Sequence, residues 1–325
     1  MKPVLTLICA LMATPVAADV NTVIESHILP GYAAFAQATE TLAADAQVCG
    51  AEALRPAWND AFDAWLGVSH LRFGPAEQDG RSVTIAFWPD PRGATPKALD
   101  TLFADQDPII NTPEGTTQIS VAARGLFALE YLLYDPEFAE DTPYGCALIR
   151  ALTTDLAAIA RHIDDEWKGG YATTLRTAGR AGNTTFLSDR EADQALFTAL
   201  LTGLEFTADQ RLGRPMGEFD RPRPARAEAW RSDRSQRNVV LSLRALSDLA
   251  HHLTGGAVNT DAALNHAIAL ASALNDPALA GVSDPSGRLK LEIVQQAVHA
   301  ARDAAVAEIG PSLGVSAGFN SADGD

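Results

Sequence analysis

Cysteine is nearly missing from this chain. Three occur in 325 residues, none of them in a CxxC or CxxCH pair, so there is no haem-attachment motif and no zinc-ribbon spacing. Basic residues are also few: 25 Lys and Arg face 41 Asp and Glu, a net charge of −16. That balance argues against nucleic acid and against an anionic lipid surface as partners. Beyond Ala18 no stretch approaches the ~20 apolar residues of a membrane span, so none is expected. Convincing period-2 alternation is absent too, which leaves no evident strand. The sequence has no HExxH or HxxxH, no P-loop, no dinucleotide fingerprint and no nucleophile elbow.

What is present first is an export signal. Lys2 is a short basic start, Val4 to Met12 are apolar, and Ala13 to Ala18 are mostly small. The apolar run fits the ~7–15 residues of a signal peptide and is too short to span a bilayer. Cleavage after Ala18 is expected, giving a protein of the periplasm. Cys9 lies inside the run, so a lipid anchor is not expected. Cys49 and Cys146 remain. In an exported chain an isolated pair is most often a disulfide. Closing a loop of roughly 100 residues would contribute about 4.7 kcal/mol, less any strain. The alternative is a pair of thiolate metal ligands.

Helix signals dominate the rest. Val20, Val23, Ile24, His27, Ile28, Gly31, Phe35, Ala38 and Leu42 recur at helical spacing, with Pro30 expected to kink or restart the helix. A second helix is expected from about Glu52 to Leu71, stopped near Gly74-Pro75. Residues 74–118 read as an irregular connection with a short helix over about 97–105; a connection of that length is more often functional than idle. Ile119 to Tyr134 reads as a helix apolar on nearly all sides, hence buried. Another helix is expected over 143–166. Ser188 and Glu191 form a capping box for the next. Further helices end near Leu253, at Gly255-Gly256, and run over about 260–274 and 285–309, the last opened by Asp284-Pro285. The expected class is all-α: a signal peptide over 1–18, one helical bundle over 19–165, a linker over 166–186, and a second bundle with its tail over 187–325.

Glu130 is the sharpest chemical signal. It lies mid-helix among Leu126, Phe127, Leu129, Tyr131, Leu132 and Leu133, where an unpaired carboxylate is costly. It is therefore either an ion-pair partner of an arginine, such as Arg72 or Arg124, or a metal ligand or perturbed acid at a cleft. His27 and His70 sit on apolar faces, as satisfied core residues or as ligands. Trp88-Pro89-Asp90-Pro91-Arg92-Gly93 is either a packed loop or the wall of a binding cleft. Arg211, Arg214, Arg221, Arg223, Arg226, Arg231, Arg234 and Arg237 form a basic cluster in an acidic chain. They serve either as ion pairs between bundles or as an anion-binding or docking surface. Arg223, Arg226, Arg234 and Arg237 are the docking candidates.

Several segments together resemble the imelysin family of bacterial envelope proteins. They are Trp65 with His70-Leu71-Arg72-Phe73-Gly74-Pro75, then Phe87 to Gly93, Gly125 to Tyr134, Gly213 to Glu218, Trp230 to Asn238, and the tail Gly318 to Asp325. They stand in family order and cover nearly all of the mature chain. The resemblance implies two helical bundles arranged as a distant internal duplication, an exported protein linked to iron acquisition, and iron or another divalent metal as ligand. Some members are called metallopeptidases for a GxHxxE motif, whose histidine and glutamate share one helix face. Here Gly125 and Glu130 match, but the histidine position is Phe127, which cannot ligate a metal.

The expected function is therefore a non-enzymatic periplasmic binding or accessory protein of iron uptake. Its metal or small-ligand candidates are Glu130, His70 and Asp90. Arg72, Trp88, Arg92, Gly125 and Phe127 would line a single cleft with them. The alternatives are a metallopeptidase of the imelysin type and a metal-free module that docks an envelope protein.

Overall fold

The computed structural model describes residues 20–139 and 141–317, and every regular element among them is helical. The expected signal segment with Lys2 and Cys9, and the tail from Gly318, lie outside the described residues.

Helix α1 spans 20–45. It does not break at Pro30. A π-helical turn at Ile24–Ile28 precedes the proline and the helix continues as Leu29–Asp45. A proline lacks the N–H for its turn and crowds the carbonyl four residues back, and a widened turn is one way to absorb this. Helix α2 is Ala51–Leu66, with Leu54, Trp58, Ala61, Phe62, Trp65 and Leu66 buried. It stops short of the expected Leu71, so His70 sits in a turn. Helix α3 is Ala94–Asp105.

Helix α4 is Gly125–Tyr134 and starts later than the apolar run implied. Val121–Ala123 form a separate 3-10 turn, and Gly125 adopts φ +70°. A Cβ there would lie 2.1 Å from the Thr84 carbonyl oxygen and 2.4 Å from that of Ile85. Only glycine fits this approach and this backbone conformation together. Leu126, Ala128, Leu129, Leu132 and Leu133 of α4 are completely buried, each contributing about 1.5–3 kcal/mol if it is a large side chain.

Helix α5 is Pro143–Glu166, capped by the Thr142 hydroxyl, which accepts the Gly145 N–H at 3.0 Å. The first part of the stretch read as a linker is helical, Trp167–Tyr171 and Ala172–Arg176, with a kink at Gly170. Trp167 is its anchor, fully buried against the rings of Tyr32 and Tyr171. Helix α6 is Asp189–Glu205, running on through a π-helical segment, Phe206–Leu212. Its expected capping box is not made, and a related contact stands in its place. Ser188 makes no side-chain cap, whereas Glu191 accepts the Leu187 N–H at 2.6 Å. Helices α7 (Ser235–Thr254), α8 (Val258–Ser272) and α9 (Pro285–Leu313) follow. Gly255 closes α7 in the left-handed conformation, and the Asp284 carboxylate accepts the Ser286 and Gly287 N–H groups that open α9.

Helix α1 packs on α2 and α5, and α4 on α2 and α5; α8 packs on α7 and α9, and α6 on the same two. These are two four-helix groups. Helix α7 joins them, resting also on α2 and on the start of α1. One hydrophobic core runs through both, from Val23 to Val315. A disulfide ties Cys49, after α1, to Cys146 in the first turn of α5. No helix among the described residues is long and apolar enough to cross a membrane.

Candidate functional site

Glu130 is 1% exposed, yet neither Arg72 nor Arg124 pairs with it. Arg124 binds Asp155 at 2.7 Å, and the Arg72 guanidinium lies over the Phe206 ring. The partner is Ser232, in the loop that enters α7. Its backbone N–H and its hydroxyl both donate to Glu130 Oε1, at 3.0 and 2.8 Å. Burial dominates the carboxyl's acidity and pushes it up to about 7, against the Ser232 hydrogen bonds and the charges of Arg231 and Arg234. Ala229 and Asp233, on either side of Ser232, hold positive φ, the sparsely populated backbone typical of functional loops.

Glu130 opens onto a cleft of about 220 Å³, lined by Phe87 to Pro91 and Gly93, with Tyr131, Arg214, Arg226, Trp230 and Arg231. Asp90 stands on its wall. Burial pushes the Asp90 carboxyl up, but the N–H groups of Thr95 and Ala94, at 2.8 and 2.9 Å, outweigh it and hold the group below its ordinary range. Asp90 thus acts as the cap of α3. Arg92 is exposed and off the cleft wall.

The single cleft expected from the sequence is divided. A second cavity, of about 620 Å³, takes His70, Arg72, Trp65, Phe206, Arg211 and Glu228 into its lining. Trp88 and Phe127 line both spaces. Their rings stack at 6.4 Å, and Phe127 meets Phe62 edge-on at 5.4 Å. The phenyl ring at the motif's histidine position thus forms part of an apolar partition between Glu130 and His70.

His70 is buried and hydrogen-bonds His27, Nε2 to Nε2, at 2.9 Å. His27 Nδ1 donates to Asp248 Oδ2 at 2.6 Å. Burial, then the charges of His27 and Arg211, holds His70 well below its ordinary value and therefore neutral. Position 203, where α6 passes the His70 turn, has no room for a side chain: a Cβ on Gly203 would touch His70 Cβ at 3.0 Å.

The basic cluster separates into two kinds. Arg234 is 1% exposed and donates to Asp63 at 2.6 Å, with Asn59 and Asn238 as further acceptors. Arg237 also binds Asp63, and Arg231 binds Asp135 at 2.7 Å. Arg234 is therefore a buried tie between the two helix groups, and Arg237, which shares the α2 carboxylate, keeps an exposed side chain. Arg223 and Arg226 are exposed. At the disulfide, Asp141 and the two cysteines lie within ligand distance of one another, but the sulfurs are bonded to each other and offer no thiolate.

An all-α molecule of two four-helix groups, with a buried carboxyl and an aromatic partition where they join, defines the class. The imelysin family model (peptidase M75) matches residues 28–305, and the chain belongs to the imelysin family. It is similar to an iron-regulated protein A of Synechococcus elongatus, 24% identical over 245 residues, which are 71% of this chain. The chain spans 60% of the length of that curated relative. Among solved structures it resembles an imelysin-like protein of Psychrobacter arcticum, with a TM-score of 0.76, 21% identity, and coverage of 92% of this chain and 96% of that one. It also resembles a putative iron-regulated protein A precursor of Parabacteroides distasonis, with a TM-score of 0.70, 11% identity, and coverage of 88% and 93%.

Sequence reasoning missed Ser232, Asp63 and Asp248. Ser232 lies 102 residues from Glu130 and Asp63 lies 171 from Arg234, and no local pattern connects such positions. The one available signal was compositional: a dense arginine cluster in an acidic chain.

Proposed function

We propose that this protein is an exported, periplasmic binding or accessory protein of iron acquisition, without peptidase activity, and that the Glu130 cleft is its binding site. The observation that carries this reading is the pairing of Phe127 with Glu130. The ring takes the place of a metal-binding imidazole, and the carboxyl is buried, hydrogen-bonded to Ser232 and raised in pKa. A catalytic zinc site uses about three protein ligands and an open position. Here Glu130 Oε1 is engaged by Ser232, both Asp90 oxygens are engaged by α3, and His70 lies behind the partition. These residues do not fit a resident metal at the motif. The link to iron rests on the family and on the iron-regulated relatives.

The test is growth under iron limitation of a strain lacking the gene, complemented with wild type or Glu130→Gln. Slow growth that wild type restores and the variant restores poorly is the expected result. Growth indifferent to the deletion would remove the link to iron. Chelator-sensitive peptide cleavage by the purified protein, lost in the variant, would establish the metallopeptidase alternative instead.

A further inference from the structure

The cleft before Glu130 gathers positive charge within a chain whose net charge is −16. Arg214, Arg226 and Arg231 all line it. Arg231 is matched to Asp135. Arg214 and Arg226 have no carboxylate partner among the described residues. Arg214 Nη1 reaches only Gln210 Oε1, at 3.3 Å, and its Nε is buried without an acceptor. The Arg226 side chain makes no hydrogen bond to a described residue; its backbone N–H donates to Arg223.

Several arginines elsewhere are matched. Arg81, Arg124, Arg211 and Arg234 each meet a carboxylate within 2.6–2.7 Å. Two unmatched guanidinium groups on one cleft repel each other. Burial, then the charge of Arg226, lowers the pKa of Arg214. An anion in the cleft would remove both penalties, giving the buried Nε an acceptor and the two charges a counter-ion.

The other groups on the walls narrow the class of anion. Phe87, Trp88, Tyr131 and Trp230 supply aromatic surface. Glu130 Oε1 takes both Ser232 bonds, so a proton on this carboxyl goes to Oε2 and turns it into a donor. Asp90 remains ionised nearby and disfavours a compact dianion such as phosphate. A volume of about 220 Å³ suits a small metabolite, below the ~300–1,000 Å³ of drug-sized sites.

We propose that the Glu130 cleft binds a small carboxylate anion, held by the guanidinium forks of Arg214 and Arg226 between the rings of Trp88 and Trp230. This rests on the Glu130 cleft being the working site and adds the charge of what enters it. Iron would reach the cleft within an anionic carboxylate complex, not as a bare cation.

Calorimetric titration of the full mature protein with citrate, benzoate and inorganic phosphate tests this apart from any growth phenotype. At least one carboxylate is expected to bind, and more tightly than phosphate. Arg214→Gln and Arg226→Gln should each weaken it about tenfold or more, the scale of a lost charge-assisted hydrogen bond. Arg223→Gln, off the cleft wall, should leave it within about twofold. Arg226 is exposed, so its variant retains the fold, which circular dichroism checks. Tighter binding of phosphate would overturn the assignment to carboxylate. No binding of any probe, or binding that both cleft variants leave intact, would overturn the site.

Discussion

The Nε2 atoms of His27 and His70 lie 2.9 Å apart, and Asp248 holds the far side of His27. The Asp248 carboxylate, lowered in pKa first by this hydrogen bond, can only accept, so His27 carries its proton on Nδ1. The other face of His27 meets the neutral His70 ring, Nε2 to Nε2. A half-exposed carboxylate on α7 thus anchors a buried histidine pair across the seam.

This arrangement has a pH signature. Folded His70 resists protonation, whereas in the unfolded chain it takes up a proton below about pH 6.5. Stability contributed by neutral His70 is therefore lost as pH falls through about 6.5. Denaturant midpoints between about pH 8 and pH 5 should show this slope in wild type and a weaker one in His70→Asn. An identical slope in the two proteins would contradict it.

Glu130 acts with the opposite sign. Its folded pKa is raised from 4.5 to about 7, so the folded state holds the proton longer, and stability falls as pH rises from about 4.5 through about 7. Gln at this position accepts the same Ser232 bonds and never ionises. Relative to wild type, Glu130→Gln should gain stability across that window and level off above it, by up to about 3 kcal/mol. A difference independent of pH would show that the carboxyl is not perturbed.

Gly125→Ala should lose about 1–3 kcal/mol to left-handed strain alone, and more because its Cβ would meet the Thr84 and Ile85 carbonyls. Thermal unfolding measures the loss. A variant as stable as wild type would mean that α4 can start without the close approach.

Asp63 joins α2 to two arginines of the loop–α7 junction. The charges of Arg234 and Arg237 and their hydrogen bonds prevail over burial and lower its pKa. Asp63→Asn should cost about 3 kcal/mol, the low end for a buried pair because the aspartate is partly exposed. Replacing Arg234 in the same background should then add less than it does alone. Strict additivity would show that the two do not act as a pair.

Reduction, or Cys146→Ser, should cost about 2–5 kcal/mol, because the bridge closes 97 residues of sequence separation. Equal midpoints with and without reductant would deny the bridge a role in stability.

Much of the molecule was readable from local rules. Helix α5 begins and ends at the expected residues, because a threonine cap and a proline at its first position define its start. Asp284 opens α9 for the same kind of reason. The apolar run around Glu130 correctly signalled a helix buried on all sides. Its start was misplaced, since the conformation of Gly125 depends on the approach of the 84–85 backbone and not on its neighbours in sequence. The Gly and Thr content of the 166–186 stretch shows in a kink at Gly170 and in the irregular chain after Arg176, while burial of Trp167 holds the first part helical.

The sequence by itself determined the all-α class, the imelysin resemblance, the Cys49 and Cys146 pair and the singularity of Glu130. These depend on helical period, caps and residue identity, which act over a few residues. Only the tertiary structure decided that Glu130 meets Ser232 and no arginine, that Arg234 is buried on Asp63 while Arg237 binds the same carboxylate from the surface, and that Trp88 and Phe127 divide one expected cleft into two. Such pairings are set by which helices pack together and by the cost of burying an unmatched charge, and both depend on distances that sequence separation does not encode.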